Sequence, residues 1–334
     1  MRRFARISGT GSYLPESVLT NTDLERMVDT TDEWIVSRTG ITERRVVGPG
    51  ESTSDLASIA LTRALESARI DPGDIDLLIV GTSSPDMIFP STACLVQARL
   101  GMTCPAYDVN AACSGFVYAL HAATVAIESG RAQRVAIVGA DALTRHIDFT
   151  DRSTCVLFGD GAGAAVVEAA SEPGVLGISL GADGSGAGLL NIPAGGSAEP
   201  ASREAIDGRR TFVRMNGNEV FRFAVRVIPK ATLEALEASG FTVADLDWLV
   251  PHQANQRILR TVEQRLGIPR DRVFSHVSRV GNTSAASIPL ALDDLYTDGR
   301  LAPGALLALV GFGAGLTWGA AVVRWSMTRP DKEA

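Results

Sequence analysis

At 334 residues, with 46% hydrophobic and 21% charged side chains, the chain has the composition of a globular protein and the length for one large or two medium domains with substantial cores. A formal net charge of −7 argues against a general nucleic-acid binder, because no diffuse basic excess is available to neutralise phosphates. The four cysteines, Cys94, Cys104, Cys113 and Cys155, form no C-x-x-C pair and no His/Cys spacing of the zinc type, so neither a metal site nor a disulfide framework is expected.

The N-terminus, Met1-Arg-Arg-Phe-Ala-Arg-Ile-Ser-Gly, carries basic residues but lacks the apolar run of a signal peptide, and a cytoplasmic location is expected. In Asp29–Ile41, Trp34 and Arg38 stand four apart and would share one helix face. A flat ring beside a guanidinium can grip a nucleotide base and phosphate; the plainer reading is a tryptophan that anchors a surface helix. Ser52-Thr-Ser-Asp opens an amphipathic helix through Leu56, Ile59, Ala60, Ala64 and Ala68, and Asp74–Val80 then reads as a buried parallel strand.

Ala106–Leu120 begins as a short β-like run and becomes an Ala-rich buried helix, with Phe116, Leu120, Ala123 and Ile127 at helical spacing and Gly130 as its stop. Cys113 falls at the switch, in the first turn. Unpaired N–H groups and the positive end of the helix dipole favour a thiolate there, which would lower the thiol pKa and make a nucleophile. A free cysteine more often packs as a small hydrophobe, so the reading depends on partners brought from elsewhere. His121 falls inside the buried helix and, with His146 and His276, reads as structural.

Gly159–Ala164 fits a loose G-x-G-x-x-A dinucleotide fingerprint after a strand-like Cys155–Phe158, but Ala165-Val-Val-Glu is β-branched where that fingerprint needs a helix, so tight turns between strands are expected. Ser171–Arg210, rich in Gly, Ser, Ala and Pro, reads as a linker and surface loop. Met215–Phe221 opens a further helix with Arg222, Arg226 and Lys230. Pro251-His-Gln-Ala-Asn-Gln-Arg257 lies where a strand's C-terminal end meets a helix, the usual place for α/β sites, and this sets His252 apart from the other histidines. Ile258, Leu259, Val262 and Leu266 of that helix face inward, Arg257 and Arg260 outward. From Pro251 to Arg272, five arginines against Glu263 and Asp271 make a basic segment suited to an acidic partner. Val280–Ser287 sets Asn282 in a small-residue turn, and Gly311–Gly319 supplies backbone that can approach a ligand closely. The nineteen uncharged residues Ala305–Val323 are broken by glycines into two buried strands rather than one membrane span.

An internal repeat ties these stretches together. Asp74-Ile-Asp-Leu-Leu returns as Asp245-Leu-Asp-Trp-Leu 171 residues on, Val138-Gly139 as Val310-Gly311 at 172, and Gly163-Ala-Ala-Val-Val167 word for word as Gly319–Val323. Two α/β halves of similar topology are expected, over residues 1–175 with the cysteine and 176–334 with His252 and Asn282.

The ordered set Asp-Glu-Trp-Ile at Trp34, Asn-Ala-Ala-Cys-Ser-Gly-Phe at Cys113, Phe-Gly-Asp-Gly-Ala-Gly at Phe158, Val-Pro-His-Gln-Ala-Asn at His252 and Gly-Asn-Thr-Ser-Ala at Asn282 resembles that of β-ketoacyl-[acyl-carrier-protein] synthase III, within the thiolase-like superfamily, along nearly the whole chain. The resemblance implies a five-layered αβαβα sandwich and a condensing enzyme that starts fatty acid synthesis, moving an acyl group, acetyl foremost, from coenzyme A to Cys113 and condensing it with malonyl carrier protein. It implies a triad of Cys113, His252 and Asn282. Thr30, Trp34, Arg38 and Arg152 would face coenzyme A, with Gly217 and Asn218 along its pantetheine. Backbone at Cys113 and Ala314 would form the oxyanion site, though many relatives have glycine in place of Ala314. Phe89 and Phe312 would border the acyl pocket, Phe89 reaching across a homodimer, and Gln253, Ala254, Asn255, Gln256 and Arg257 would touch the acyl carrier protein. No metal or other cofactor is implied. Two competing readings are a priming ketosynthase of a polyketide or quinolone pathway, told apart by a starter panel, and an NAD-binding reductase built on Gly159–Ala164, told apart by nicotinamide titration.

Overall fold

Nine strands carry the architecture of the computed structural model, which describes residues 3–328; Met1 and Arg2 of the basic N-terminus lie outside the described residues. Five form one sheet: β1 (Phe4–Tyr13), β2 (Leu77–Gly81), β3 (Ala106–Val109), β4 (Arg134–Asp141) and β5 (Gly161–Ala170), in the order β1-β5-β4-β2-β3. Four form the other: β6 (Val175–Ala182), β7 (Trp248–Pro251), β8 (Leu306–Gly313) and β9 (Thr317–Arg324), in the order β6-β9-β8-β7. The orders match strand for strand, β1-β5-β4-β2 against β6-β9-β8-β7, with one parallel pair (β2/β4, β7/β8) and two antiparallel pairs in each.

The register repeats too: Gly139 pairs with Gly163 in the first sheet, and Gly311 with Gly319 in the second. These glycines exist for close approach. A Cβ on Gly139 would stand 2.2 Å from Ala285 O, and one on Gly311 3.1 Å from Cys113 O, so each sheet receives a turn that belongs to the other half of the chain.

Seven helices complete the layers: α1 (Asp32–Thr39), α2 (Thr53–Ala68), α3 (Thr92–Arg99), α4 (Gly115–Glu128), α5 (Gly217–Ser239), α6 (Gln256–Leu266) and α7 (Ser287–Thr297). α2 and α3 cover the outer face of the first sheet, α5 and α6 the outer face of the second, and α4 and α7 lie between the sheets. The central core draws Phe116, Leu120 and Ile127 of α4, Ile288 and Leu292 of α7, and strand residues of both sheets. This is the five-layered αβαβα arrangement. Ser52 and Asp55 form a capping box at the start of α2.

Three local expectations change. Ser171–Arg210 is not all linker, because Val175–Ala182 forms β6, an edge strand paired antiparallel with β9; its glycines and serines hid the strand. Cys155 closes a short helix, Arg152–Cys155, capped by Asp151 accepting the Ser153 N–H, so only Phe158 of the strand-like run bridges, to Asn282. His121 is exposed on the outer side of α4. The Gly159 motif leads into β5 with no helix, as its β-branched continuation requires. Among the described residues no helix is long and apolar enough to cross a membrane.

Candidate active site

Cys113 occupies a 3₁₀ turn, Ala112–Ser114, between β3 and α4. The turn is sharp: Ala112 takes φ 46°, in the left-handed region, and Asn110 Oδ1 accepts the Ala112 N–H at 3.5 Å. Thr317 Oγ1 on β9 accepts from Ser114 Oγ and donates to Ala111 O, both at 2.8 Å, which ties the turn to the second sheet. Beneath it, a Cβ on Gly313 would come within 2.6 Å of Cys113 N. The cysteine is buried, at the junction of two cavities. One, of about 200 Å³, runs from Trp34 and Arg38 past Gly217 and Phe221 to Cys113, His252 and Asn282. The other, of about 520 Å³, continues beyond Cys113 between Leu143, Phe158, Leu190, Ile192, Val213 and Ala314.

Burial pushes the Cys113 thiol up to about 12; a hydrogen bond with Ser284 opposes the rise and the charge of Asp141 adds to it. Desolvation is the largest influence on the thiol and opposes a resting thiolate at this helix N-terminus. The depressed thiol pKa read from the sequence is corrected accordingly.

His252 follows β7, where Pro251 ends the strand beside β8. It is 1% exposed, and burial pushes its pKa down to about 3, so the imidazole is neutral. Its Nδ1 lies 2.5 Å from Ser287 Oγ at the start of α7, and that oxygen also accepts the Gln253 N–H at 3.3 Å. The tautomer that takes the Ser287 hydroxyl hydrogen at Nδ1 carries the ring's own hydrogen on Nε2. Phe312 packs edge-on against the ring at 5.4 Å between centroids. Asn282 is buried, and its Oδ1 accepts the Ser284 N–H at 2.9 Å, leaving the NH₂ as its donor. Two neutral donors and a thiol thus line one passage.

At the outer end, two guanidinium groups lie over the Trp34 ring, Arg152 at 4.8 Å and Arg38 at 5.9 Å from its centroid. Thr30 Oγ1 nearby in sequence is buried and makes no hydrogen bond among the described residues. Gly217 lines the passage, and Asn218 is exposed beside it in the first turn of α5. Asn255 Nδ2 donates to Arg38 O at 3.2 Å and joins the rim to the segment after His252.

That segment is not one continuous contact surface. Gln253 is 0% exposed: its amide donates to Pro251 O and Phe274 O and accepts the His276 N–H, so it braces the loop from within. Ala254 is buried as well. Only Arg257 of the five is exposed, packed over Phe221 at 5.6 Å, with Asn255 and Gln256 half-buried. Phe312 borders the passage and not the larger cavity, because strand alternation turns it away from the face that Gly311 and Gly313 give to Cys113. Phe89 is 83% exposed and does not line the larger cavity of its own chain. The supporting residues Ser284 and Ser287 were missed by sequence reasoning; both lie in the small-residue run after Asn282, but nothing local pairs them with residues 171 and 35 positions away.

Comparisons with known proteins identify the family. Residues 107–184 match the family model described as 3-oxoacyl-[acyl-carrier-protein (ACP)] synthase III, and residues 236–325 its C-terminal counterpart. A solved beta-ketoacyl-[acyl-carrier-protein] synthase III from Thermus thermophilus superposes with a TM-score of 0.90 at 48% identity, covering 97% of this chain and 100% of that one. The priming beta-ketosynthase of the R1128 polyketide pathway superposes equally, at 39% identity and 97% of each chain. A curated beta-ketoacyl-[acyl-carrier-protein] synthase III from Caldanaerobacter subterraneus subsp. tengcongensis is 52% identical over 96% of this chain and 98% of its own. On that identity, and with the thiolase-like fold shared throughout, the chain belongs to the β-ketoacyl-[acyl-carrier-protein] synthase III family of condensing acyltransferases.

Proposed function

We propose that the chain starts fatty acid synthesis by moving an acyl group from acyl-coenzyme A to Cys113 and condensing it with malonyl carrier protein. The observation that carries this reading is the meeting of a buried thiol with two neutral donors, His252 and Asn282, at the inner end of one narrow passage. Trp34, Arg38, Arg152 and Thr30 hold the nucleotide end of coenzyme A, and Gly217 and Asn218 flank its pantetheine. Sulfur of Cys113 attacks the thioester carbonyl, the C–S bond to coenzyme A breaks, and the proton lost by one thiol ends on the other, so acylation needs no net base. Backbone at Cys113 and Ala314 receives the developing oxyanion.

Malonyl carrier protein follows by the same passage, with Arg257 at the rim meeting the acidic carrier. Loss of CO₂ leaves an electron pair in the enolate of the remaining thioester, and His252 Nε2–H with Asn282 Nδ2–H stabilise its oxygen. The carbanion attacks the acyl-cysteine, the bond to Cys113 breaks, and the sulfur takes up one proton. Because CO₂ departure supplies the carbanion, the chemistry calls for no metal or redox cofactor, and coenzyme A is a substrate. Acetyl is the starter we propose, with Phe89 of a second copy occupying the rest of the 520 Å³ cavity in a cytoplasmic homodimer. The 52% identity to the curated beta-ketoacyl-[acyl-carrier-protein] synthase III, against 39% to the R1128 priming ketosynthase, supports this over a specialised priming role.

Three variants test the roles. Cys113→Ala should abolish acyl-enzyme formation while malonyl decarboxylation survives. His252→Ala and Asn282→Ala should each cut decarboxylation by about 10²–10³ while Cys113 still takes label from acyl-coenzyme A. Loss of labelling, decarboxylation and melting temperature in step would refute the assignment.

A further inference from the structure

The two halves of the chain each build a sharp turn before a central helix, and the turns correspond at an offset of 172 residues. Ala112–Ser114 before α4 matches Ser284–Ala286 before α7. Both hold a non-glycine residue in the left-handed region, Ala112 at φ 46° and Ser284 at φ 51°. Each is preceded by an asparagine whose Oδ1 accepts the N–H two residues on, Asn110 to Ala112 and Asn282 to Ser284. At the same offset Cys113 corresponds to Ala285, and the end of β4, Asp141, to the end of β8, Gly313.

The halves differ in what meets the turn's central N–H. Opposite Cys113 N stands Gly313, with no side chain and no room for one. Opposite Ala285 N stands Asp141, whose Oδ2 accepts that N–H at 3.0 Å. Its Oδ1 accepts the N–H groups of Ser83 at 2.8 Å and Ser84 at 3.0 Å, and lies within reach of the hydroxyls of Thr82, Ser83 and Ser84. Asp141 is 0% exposed. An N–H that in one half is left open toward a reacting oxygen is, in the other half, already bonded to a carboxylate oxygen.

We infer that the Asp141 carboxylate fills the second half's copy of the oxyanion site and thereby acts as the positioning residue for Asn282. The chain of contacts is short: Asp141 anchors Ala285 N–H, the anchor holds Ser284 in its left-handed conformation, and Ser284 N–H fixes the Asn282 carboxamide with its NH₂ toward the passage. This rests on the role proposed above for Asn282.

The test is a double-mutant cycle with Asp141→Asn and Asn282→Ala, read by malonyl-carrier-protein decarboxylation and by labelled acyl transfer to Cys113. The near-isosteric amide can keep its oxygen on Ser83 and Ser84 but turns an NH₂ against Ala285 N–H. Asp141→Asn should lower decarboxylation about tenfold to a hundredfold and, because the Asp141 charge raises the Cys113 thiol, should not lower acylation; in the Asn282→Ala background it should lower decarboxylation no further. An equal loss in both backgrounds, or acylation falling as far as decarboxylation, overturns the inference. If Asn282→Ala alone leaves decarboxylation intact, the role of Asn282 is what fails.

Should Asp141→Asn not fold, residue-resolved amide hydrogen exchange of the wild-type enzyme decides. Protection of Cys113 N–H should rise on acylation, and that of Ala285 N–H, already bonded, should not change. A parallel rise at both sites overturns the inference.

Discussion

With its thiol raised to about 12 by burial, Cys113 holds only a small thiolate fraction at neutral pH. Reaction of Cys113 with iodoacetamide follows its thiolate fraction, so the rate should climb by about tenfold per pH unit through pH 10, followed on the Cys113 peptide because Cys94 is exposed and reacts too. Ser284→Ala should slow it further at every pH, since the Ser284 hydrogen bond lowers the pKa. A plateau between pH 7 and 9 would contradict this. The neutral His252 works the other way on stability: its folded pKa lies below the ordinary 6.5, so its contribution is complete above that value and is lost as pH falls from 6.5 toward about 3. Cys113, His252 and Asn282 were legible because each sits in a short, chemically distinctive run. Gln253 was misread for want of any local sign of burial, and Ser287 was invisible because its partnership with His252 exists only once α7 lies beside β7.

Among the elements, α1 shows how a surface helix comes to border the passage. Thr31 caps it by accepting the Trp34 N–H at 3.1 Å, and Gly40 ends it at φ 75°, which brings Arg38 and Trp34 to one face as their spacing required. Arg152, from a short helix more than a hundred residues later, joins Arg38 over the ring, a residue that the family resemblance named and no local spacing did. Trp34→Ala should raise KM for acyl-coenzyme A severalfold while kcat falls less, because a remote nucleotide grip contributes largely uniform binding; equal KM values for acyl-coenzyme A and a short acyl-pantetheine thioester in the wild type would sink this. The strands of the repeat were readable where Val and Ile dominate. β6 was not: Val175-Leu-Gly-Ile-Ser-Leu-Gly-Ala has the small residues of a loop, and what makes it a strand is the open edge of β9.

For the whole molecule, the repeat foretold two matched sheets but not how the halves cross, with each turn seated on a glycine of the other half's sheet, Cys113 on Gly311 and Ala285 on Gly139; that follows from three-dimensional packing alone. Met87, Ile88 and Phe89 stand 46%, 82% and 83% exposed, a run of large apolar side chains that a second copy would cover. Ile88→Asp should convert a sedimenting dimer to monomer and reduce condensation with it; a dimer of unchanged stability would exclude this face as the interface. The passage of about 200 Å³ bears on something different, the order of events. It reaches Cys113 from one side, and the larger cavity meets Cys113 as well. Two thioester arms cannot occupy so small a bore together, so the departing thiol must clear it before the extender arrives. Initial rates should therefore give parallel double-reciprocal lines, and free coenzyme A should act as a traffic inhibitor, competing with the carrier-borne substrate for an entrance rather than for a chemical step.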